Sequence, residues 1–193
     1  MQFHHRGYVS ENPRIKPAAG HGINRPSDLP DEMDVLIVGT GPAAVTVAAQ
    51  LSHFPSINVR IIEKREGPLQ IGQADGISCR SVETFDTFDF SERIMKEAYW
   101  VNETVFWRPD EANRKNIVRT GRIQDVEDNL SEFPHIIVNQ ARVHDFFLEF
   151  MQKSASKLEP DYGHEIIGVE VTGEGTHPVT ATVRKADRSE EHT

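Results

Sequence analysis

Gly39, Gly41 and Glu63 have types and spacing that suit one task, holding a diphosphate with an attached ribose. Gly39 allows a tight turn, and Gly41 has no Cβ, so the backbone can approach an anion closely. Pro42 follows, pre-set for a first helical turn and without an N–H that would lack a partner there. Ala43 and Ala44 complete that turn, whose unpaired N–H groups and partial positive charge favour a phosphate. Ala44 stands where the strongest form of the pattern has a third glycine, a replacement the general pattern permits. Glu63 can accept hydrogen bonds from a ribose hydroxyl. An ordinary buried strand–helix–strand unit without a ligand is the plain alternative.

These residues need a frame, and residues 34–64 supply one. Val35, Leu36, Ile37 and Val38 read as a parallel strand buried on both faces. Ala44, Val47, Ala48 and Leu51 fall on one face of the helix that follows. Val59, Ile61 and Ile62 form the second strand, ending at Glu63 and Lys64. Residues 65–79 form a glycine-rich loop that starts at the ligand-binding end of that strand, with Asp75 and Arg80 bracketing its second half.

The rest of the chain reads in order. Residues 1–33 hold four of the eleven prolines and no periodic pattern, so they read as an extended leader. His4 and His5 lack a third ligand nearby and read as surface residues, with no metal site expected. Val82, Phe85 and Phe88 mark a helix, and Ser91 is a fitting N-cap for a second one. Residues 99–107 read as one strand, broken by Pro109, and 116–123 as its return. Asn139 would cap a helix whose stripe is Val143, Phe146, Phe147, Phe150 and Met151. Residues 166–171 and 179–183 pair as a hairpin. Residues 34–185 are thus expected to form one domain and 186–193 a frayed polar tail.

Composition narrows the functional classes. The net charge is -9 without a sustained basic block, which argues against nucleic acid or an anionic membrane as partner. No apolar run approaches a membrane span and no secretory signal is visible, so the cytoplasm is expected. Cys79 is the sole cysteine and reads as a passive buried thiol away from any helix N-terminus.

The combination GTGPAA, Glu63, GQADGISCR and SEFPHIIVNQARVHDF resembles the FAD-dependent aromatic hydroxylases, in the phenol 2-monooxygenase and 3-hydroxybenzoate 4-monooxygenase branch. The resemblance runs from about residue 34 through the helix after Gln140 and more loosely into the hairpin. It implies an α/β, Rossmann-like FAD/NAD(P)-binding βαβ domain with an added antiparallel hairpin. It implies FAD as cofactor, NAD(P)H as reductant, dioxygen and a small phenolic substrate, with room for a homodimer of the full-length protein. By motif match, Gly39, Gly41, Pro42, Ala43, Ala44, Glu63, Lys64, Gln73, Arg80 and Gln140 would contact the cofactor. Asp75 matches the family's active-site aspartate, which accepts or orients a phenol proton; an Asx-turn residue before Gly76 is the alternative. For Arg80 the alternative is a surface arginine, and for Gln140 a helix-start side chain pairing with backbone. His135 interrupts an apolar run just ahead of Gln140, which allows it to meet a substrate carboxylate or to serve a structural role.

Two later motifs that complete the family's flavin site, an Asp-Gly pair on a further strand and a Gly-Asp-Ala stretch, are not in this sequence. The fold is therefore expected to be incomplete, marginally stable, weak for FAD and inactive alone. The competing readings are a non-catalytic dinucleotide-binding module and a remnant of a truncated monooxygenase gene.

Overall fold

The structure is a computed structural model that describes Pro26 and residues 28–186. His4, His5, most of the leader and the tail from 187 lie outside the described residues. The elements begin with β1 (Val35–Val38), α1 (Pro42–Leu51), β2 (Val59–Glu63) and β3 (Gly76–Ile77). Next come α2 (Cys79–Thr87), α3 (Ser91–Glu97), β4 (Tyr99–Val101), β5 (Glu103–Pro109) and β6 (Ile117–Gln124). The chain continues through β7 (His135–Ile137), α4 (Gln140–Lys153), β8 (Asp161–Tyr162), β9 (His164–Val171) and β10 (Val179–Lys185). Two compact units result, Met1–Gln70 with Ala141–Thr193, and Ile71–Gln140. Among the described residues no helix is long and apolar enough to cross a membrane, and no cluster of three or more His, Cys, Asp or Glu could hold a metal.

The first unit is built on the expected βαβ motif. β1 and β2 pair in parallel, Val35 opposite Val59 and Val38 opposite Ile62. β8 adds to the other side of β2, giving the order β1-β2-β8. β2 is central and every residue in it is buried. β1 is an edge strand of this sheet, so its side chains are only half-buried and Val38 is 50% exposed, not buried on both faces as expected. The helix face also differs from the expected one. Val45, Ala48 and Ala49 are buried with Ser52, while Val47 is 49% exposed. Gly41 caps the helix and accepts the Val45 N–H at 3.0 Å, which sets the rotation one residue later than the periodicity suggests.

Burying Arg60 in β2 requires an acid. Its Nε and Nη2 donate to the two oxygens of Asp161 at 2.8 and 2.6 Å, and Nη1 donates to the carbonyls of Pro26 and Asp28. This fork fixes β8 beside β2, because an unpaired buried guanidinium would cost several kcal/mol. α4 buries Ala141, Val143, His144, Phe146, Phe147 and Met151. Phe150 is half-buried, its ring 5.0 Å from that of His53. β9 and β10 form the expected hairpin.

The second unit centres on β7, which pairs antiparallel with β3 on one side and β4 on the other. Val82, Phe85, Phe88, Phe90, Ile94 and Ile136 form its core. The expected single strand over 99–107 is two. β4 joins β7, and β5 pairs with β6 in a separate two-stranded sheet. Pro109 is the last residue of β5, opposite Ile117, so the strand stops at the Pro109-Asp110 step as expected. Ser91 begins α3 rather than capping it, and its hydroxyl donates to Asp86 at 2.6 Å. Cys79 is half-buried and is the first residue of α2, contrary to the expectation that no helix starts there.

Candidate functional site

In the first unit the glycine loop leaves β1 and opens α1. Gly39 adopts φ +85°, a conformation that favours glycine, and donates its N–H to the Ile62 carbonyl at 2.7 Å. Gly41 is extended, with φ −67° and ψ 168°, and no atom lies within 4 Å of where a Cβ would stand. Pro42 opens the helix, no side chain caps it and its first turn carries no acid. Pro42 and Ala43 are exposed and Ala44 is half-buried. Open space above Gly41, unpaired N–H groups and no competing carboxylate suit a diphosphate. The residues present therefore fit the pyrophosphate of FAD.

Glu63 lies at the end of β2, only 6% exposed. Its Oε2 accepts from the Thr40 N–H at 2.9 Å, the Thr40 hydroxyl at 2.7 Å and Arg65 Nη2 at 3.0 Å. Its Oε1 accepts from the Arg65 N–H at 3.0 Å. Burial alone would raise its pKa, but these donors outweigh it and hold the carboxyl down to about 2. Arg65 Nη2 also donates to the Thr40 hydroxyl at 2.8 Å, closing a triangle that ties the glycine loop to β2.

The sequence reading missed Thr40 and Arg65. Thr40 occupies the variable position between the two glycines, and only the parallel register brings it to Glu63. Two further buried groups belong to this region. His144 of α4 is 3% exposed, and neither ring nitrogen has a hydrogen-bond partner among the described residues. Burial depresses its pKa and Asp145 opposes that, while the charges of Arg65 and Glu63 act in opposite directions. Burial raises the Tyr162 phenol, with Arg65 opposing. Lys64 is exposed just past Glu63.

In the second unit, residues 72–76 lie against the segment that leads into α4. Gly72 donates to Asn139 Oδ1 at 3.2 Å and the Gln73 N–H donates to Gln140 Oε1 at 3.0 Å. The Gln140 N–H donates to the Ala74 carbonyl at 3.2 Å, and the Val138 N–H to the Asp75 carbonyl at 2.8 Å. A Cβ on Gly72 would meet Gln140 Cβ at 2.4 Å, so this approach requires glycine. Gln140 thus pairs with backbone in this structure. Asp75 is exposed, and its backbone is held through its carbonyl. His135 begins β7, and its Nδ1 pairs with Asp125 Oδ2 at 2.8 Å. Its Nε2 lies 3.4 Å from the Cβ position of Gly76, the chain neighbour of Asp75. The fold therefore brings His135 close to Gly76 at the start of β3, next to Asp75 in the chain. Arg80 is exposed on the first turn of α2.

Known proteins resemble this chain along most of its length. It is 50% identical over 188 residues to a 3-hydroxybenzoate 4-monooxygenase of Comamonas testosteroni, covering 97% of this chain and 29% of that protein. It is 36% identical over 163 residues to the FAD-dependent monooxygenase terD of Aspergillus terreus, covering 81% of this chain and 26% of the other. The chain thus spans less than a third of either relative. Among solved structures, the flavin-dependent monooxygenase PieE in complex with FAD and substrate matches with a TM-score of 0.62 at 23% identity, over 80% of this chain and 27% of that one. p-Nitrophenol 4-monooxygenase PnpA of Pseudomonas putida also gives 0.62, at 17% identity, over 79% of this chain and 39% of that one. Both share the fold. The family described as FAD binding domain matches residues 32–193. With its diphosphate-ready loop, its βαβ register and this match over most of its length, the chain belongs to the FAD binding domain family.

Proposed function

We propose that this chain is the FAD-binding portion of a flavoprotein monooxygenase that hydroxylates small phenolic compounds with NAD(P)H and dioxygen. The observation that carries the reading is 50% identity to a 3-hydroxybenzoate 4-monooxygenase across 97% of the chain. When bound, FAD supplies redox chemistry that no side chain here provides.

The chain's own residues have separable tasks. Gly39, Gly41 and the first turn of α1, from Pro42 through Ala44, take the pyrophosphate. Glu63 takes the adenosine ribose through Oε1, which carries one donor where Oε2 carries three. Asp75 accepts or orients the phenol proton, which raises electron density on the ring. His135, its Nδ1 held by Asp125, presents Nε2 to a substrate carboxylate. Gln73, Arg80 and Gln140 serve the cofactor. The full-length protein is a homodimer in this reading.

The test is the visible spectrum of the purified chain after incubation with FAD and gel filtration. A shifted flavin band, only partly retained through gel filtration, that a hydroxybenzoate perturbs further and that Asp75→Asn renders unresponsive, is the expected result. Retention of FAD with no response to any phenol would favour a non-catalytic dinucleotide module. Retention of NAD⁺ in preference to FAD would overturn the reading.

A further inference from the structure

We propose that α4, β8 and the end of β2 enclose an internal hydration site, and that His144 acts through its water as a positioning residue for Glu63. The inference rests on the reading that Glu63 holds the adenosine ribose of FAD, and it adds what keeps Glu63 set for that task.

Strand pairing and packing gather the groups. Tyr162 of β8 stands opposite Glu63 of β2 in the parallel register, so both side chains leave the sheet on one face. Gly163, next to Tyr162, donates its N–H to the Arg65 carbonyl at 2.9 Å, which fastens Arg65 beside that pair. His144 comes from α4 and is buried. The charges of Glu63, Arg65 and Asp145 act on both His144 and Tyr162, so the two share one neighbourhood.

Their polar atoms are the second argument. Both ring nitrogens of His144, the Tyr162 hydroxyl and Arg65 Nε are enclosed, and none of them bonds to another described residue. Buried polar groups are almost always hydrogen-bonded, to protein or to ordered water, and a buried water takes about three partners. The set suits water. Arg65 Nε only donates, the Tyr162 hydroxyl donates and accepts, and a neutral His144 donates through one nitrogen and accepts through the other. Burial pushes the His144 pKa down and so favours that neutral form. Arg65 disfavours a cation here and Glu63 an anion, which leaves uncharged water as the occupant.

The link to the ribose acid runs through the Arg65 guanidinium. Its Nη2 donates to Glu63 Oε2 at 3.0 Å and to the Thr40 hydroxyl at 2.8 Å. A guanidinium is rigid and planar, so a partner on Nε fixes where Nη2 points. The Arg65 side chain is itself partly exposed, and without that partner its plane is free to swing. With the plane fixed, three donors hold Glu63 Oε2, and Oε1, with one donor, keeps its remaining capacity for the ribose. His144 touches neither cofactor nor substrate in this scheme; it sets the plane that sets the acid.

The experiment is calorimetric titration of the chain with ADP, the adenosine end of FAD with its diphosphate, and with 2′-deoxy-ADP, which lacks one ribose hydroxyl. The native chain should prefer ADP about tenfold, the worth of one hydrogen bond to a carboxylate. His144→Leu should cut that preference to about threefold or less, and His144→Gln, which keeps hydrogen-bonding capacity, should restore part of it. Tyr162→Phe removes one partner of the water and keeps the ring, so it should act as His144→Leu does, and it carries the test if His144→Leu does not fold. A purely structural role for His144 would weaken both nucleotides alike and leave their ratio unchanged. Nuclear Overhauser contacts between a long-lived water and the His144 ring protons should be present in the native chain and weaker in Tyr162→Phe. An unchanged ratio in both His144→Leu and Tyr162→Phe, or no such water beside the His144 ring, would overturn the proposal. Equal binding of ADP and 2′-deoxy-ADP by the native chain would sink the ribose assignment of Glu63 and the positioning role with it, and the water contact would then judge the hydration site alone.

Discussion

Glu63→Gln isolates the triangle that ties the glycine loop to β2. The change keeps the shape of the nearly buried Glu63 side chain, removes its charge and leaves the partly exposed Arg65 without its carboxylate. The drop in the Glu63 pKa from 4.5 to about 2 corresponds to about 3 kcal/mol of stability at neutral pH. The sign follows from the direction. A carboxyl depressed in the folded state releases its proton more readily there than in the unfolded chain. Its contribution is complete above pH 4.5 and vanishes as pH falls through 2. The native chain should therefore be more stable than Glu63→Gln by about 3 kcal/mol at pH 7 and by only about 1 kcal/mol at pH 3. Urea unfolding followed by far-ultraviolet circular dichroism at both pH values measures this gap. A gap under about 1 kcal/mol at pH 7, or one that does not shrink at pH 3, would refute the argument that the Thr40 and Arg65 donors outweigh burial.

Gly41→Val adds a side chain where no atom lies within 4 Å, so thermal stability should change by less than about 0.5 kcal/mol. FAD retention should nonetheless fall at least about tenfold, because the new side chain fills the space over the α1 N-terminus; unchanged retention would place the diphosphate elsewhere. Gly72→Ala drives a Cβ to 2.4 Å from Gln140 Cβ, and should cost about 1–3 kcal/mol in thermal unfolding. It should also speed hydrogen exchange at the Gln73 N–H, whose acceptor is Gln140 Oε1. His144 is buried, and burial depresses its pKa below the ordinary 6.5. Stability is then full above pH 6.5 and falls as pH drops below it, because the unfolded chain takes up that proton more readily. His144→Leu should remove this acid-side loss in denaturation curves between pH 7.5 and pH 5.

The parts of the fold legible from sequence were those set by local pattern. The valine-rich run, the paired glycines and Pro42 specified strand, turn and helix start, because each is a short-range constraint on φ and ψ. The aromatic stripe of α4 and the β9–β10 hairpin were legible for the same reason. The split of residues 99–109 into β4 and β5 was not, since either strand alone satisfies the same propensity and only the partner strands β7 and β6 separate them. The half-exposure of β1 likewise follows from its edge position in the sheet, not from its residues.

The candidate site divides the same way. Its vocabulary is in the sequence, because a diphosphate demands Gly39 and Gly41 and a ribose demands an acid such as Glu63, whatever surrounds them. Its wiring is tertiary. Thr40 and Glu63 meet only through the parallel register of β1 and β2, and His135 reaches Gly76 at the start of β3 only because β7 pairs with β3. Lys64 and Arg65 follow β2 whereas Arg184 and Lys185 end β10, and the four line one cleft beside Gly163 despite their separation in the chain. Residue type set what chemistry each position can offer; strand pairing over long sequence separation decided which of those groups act together.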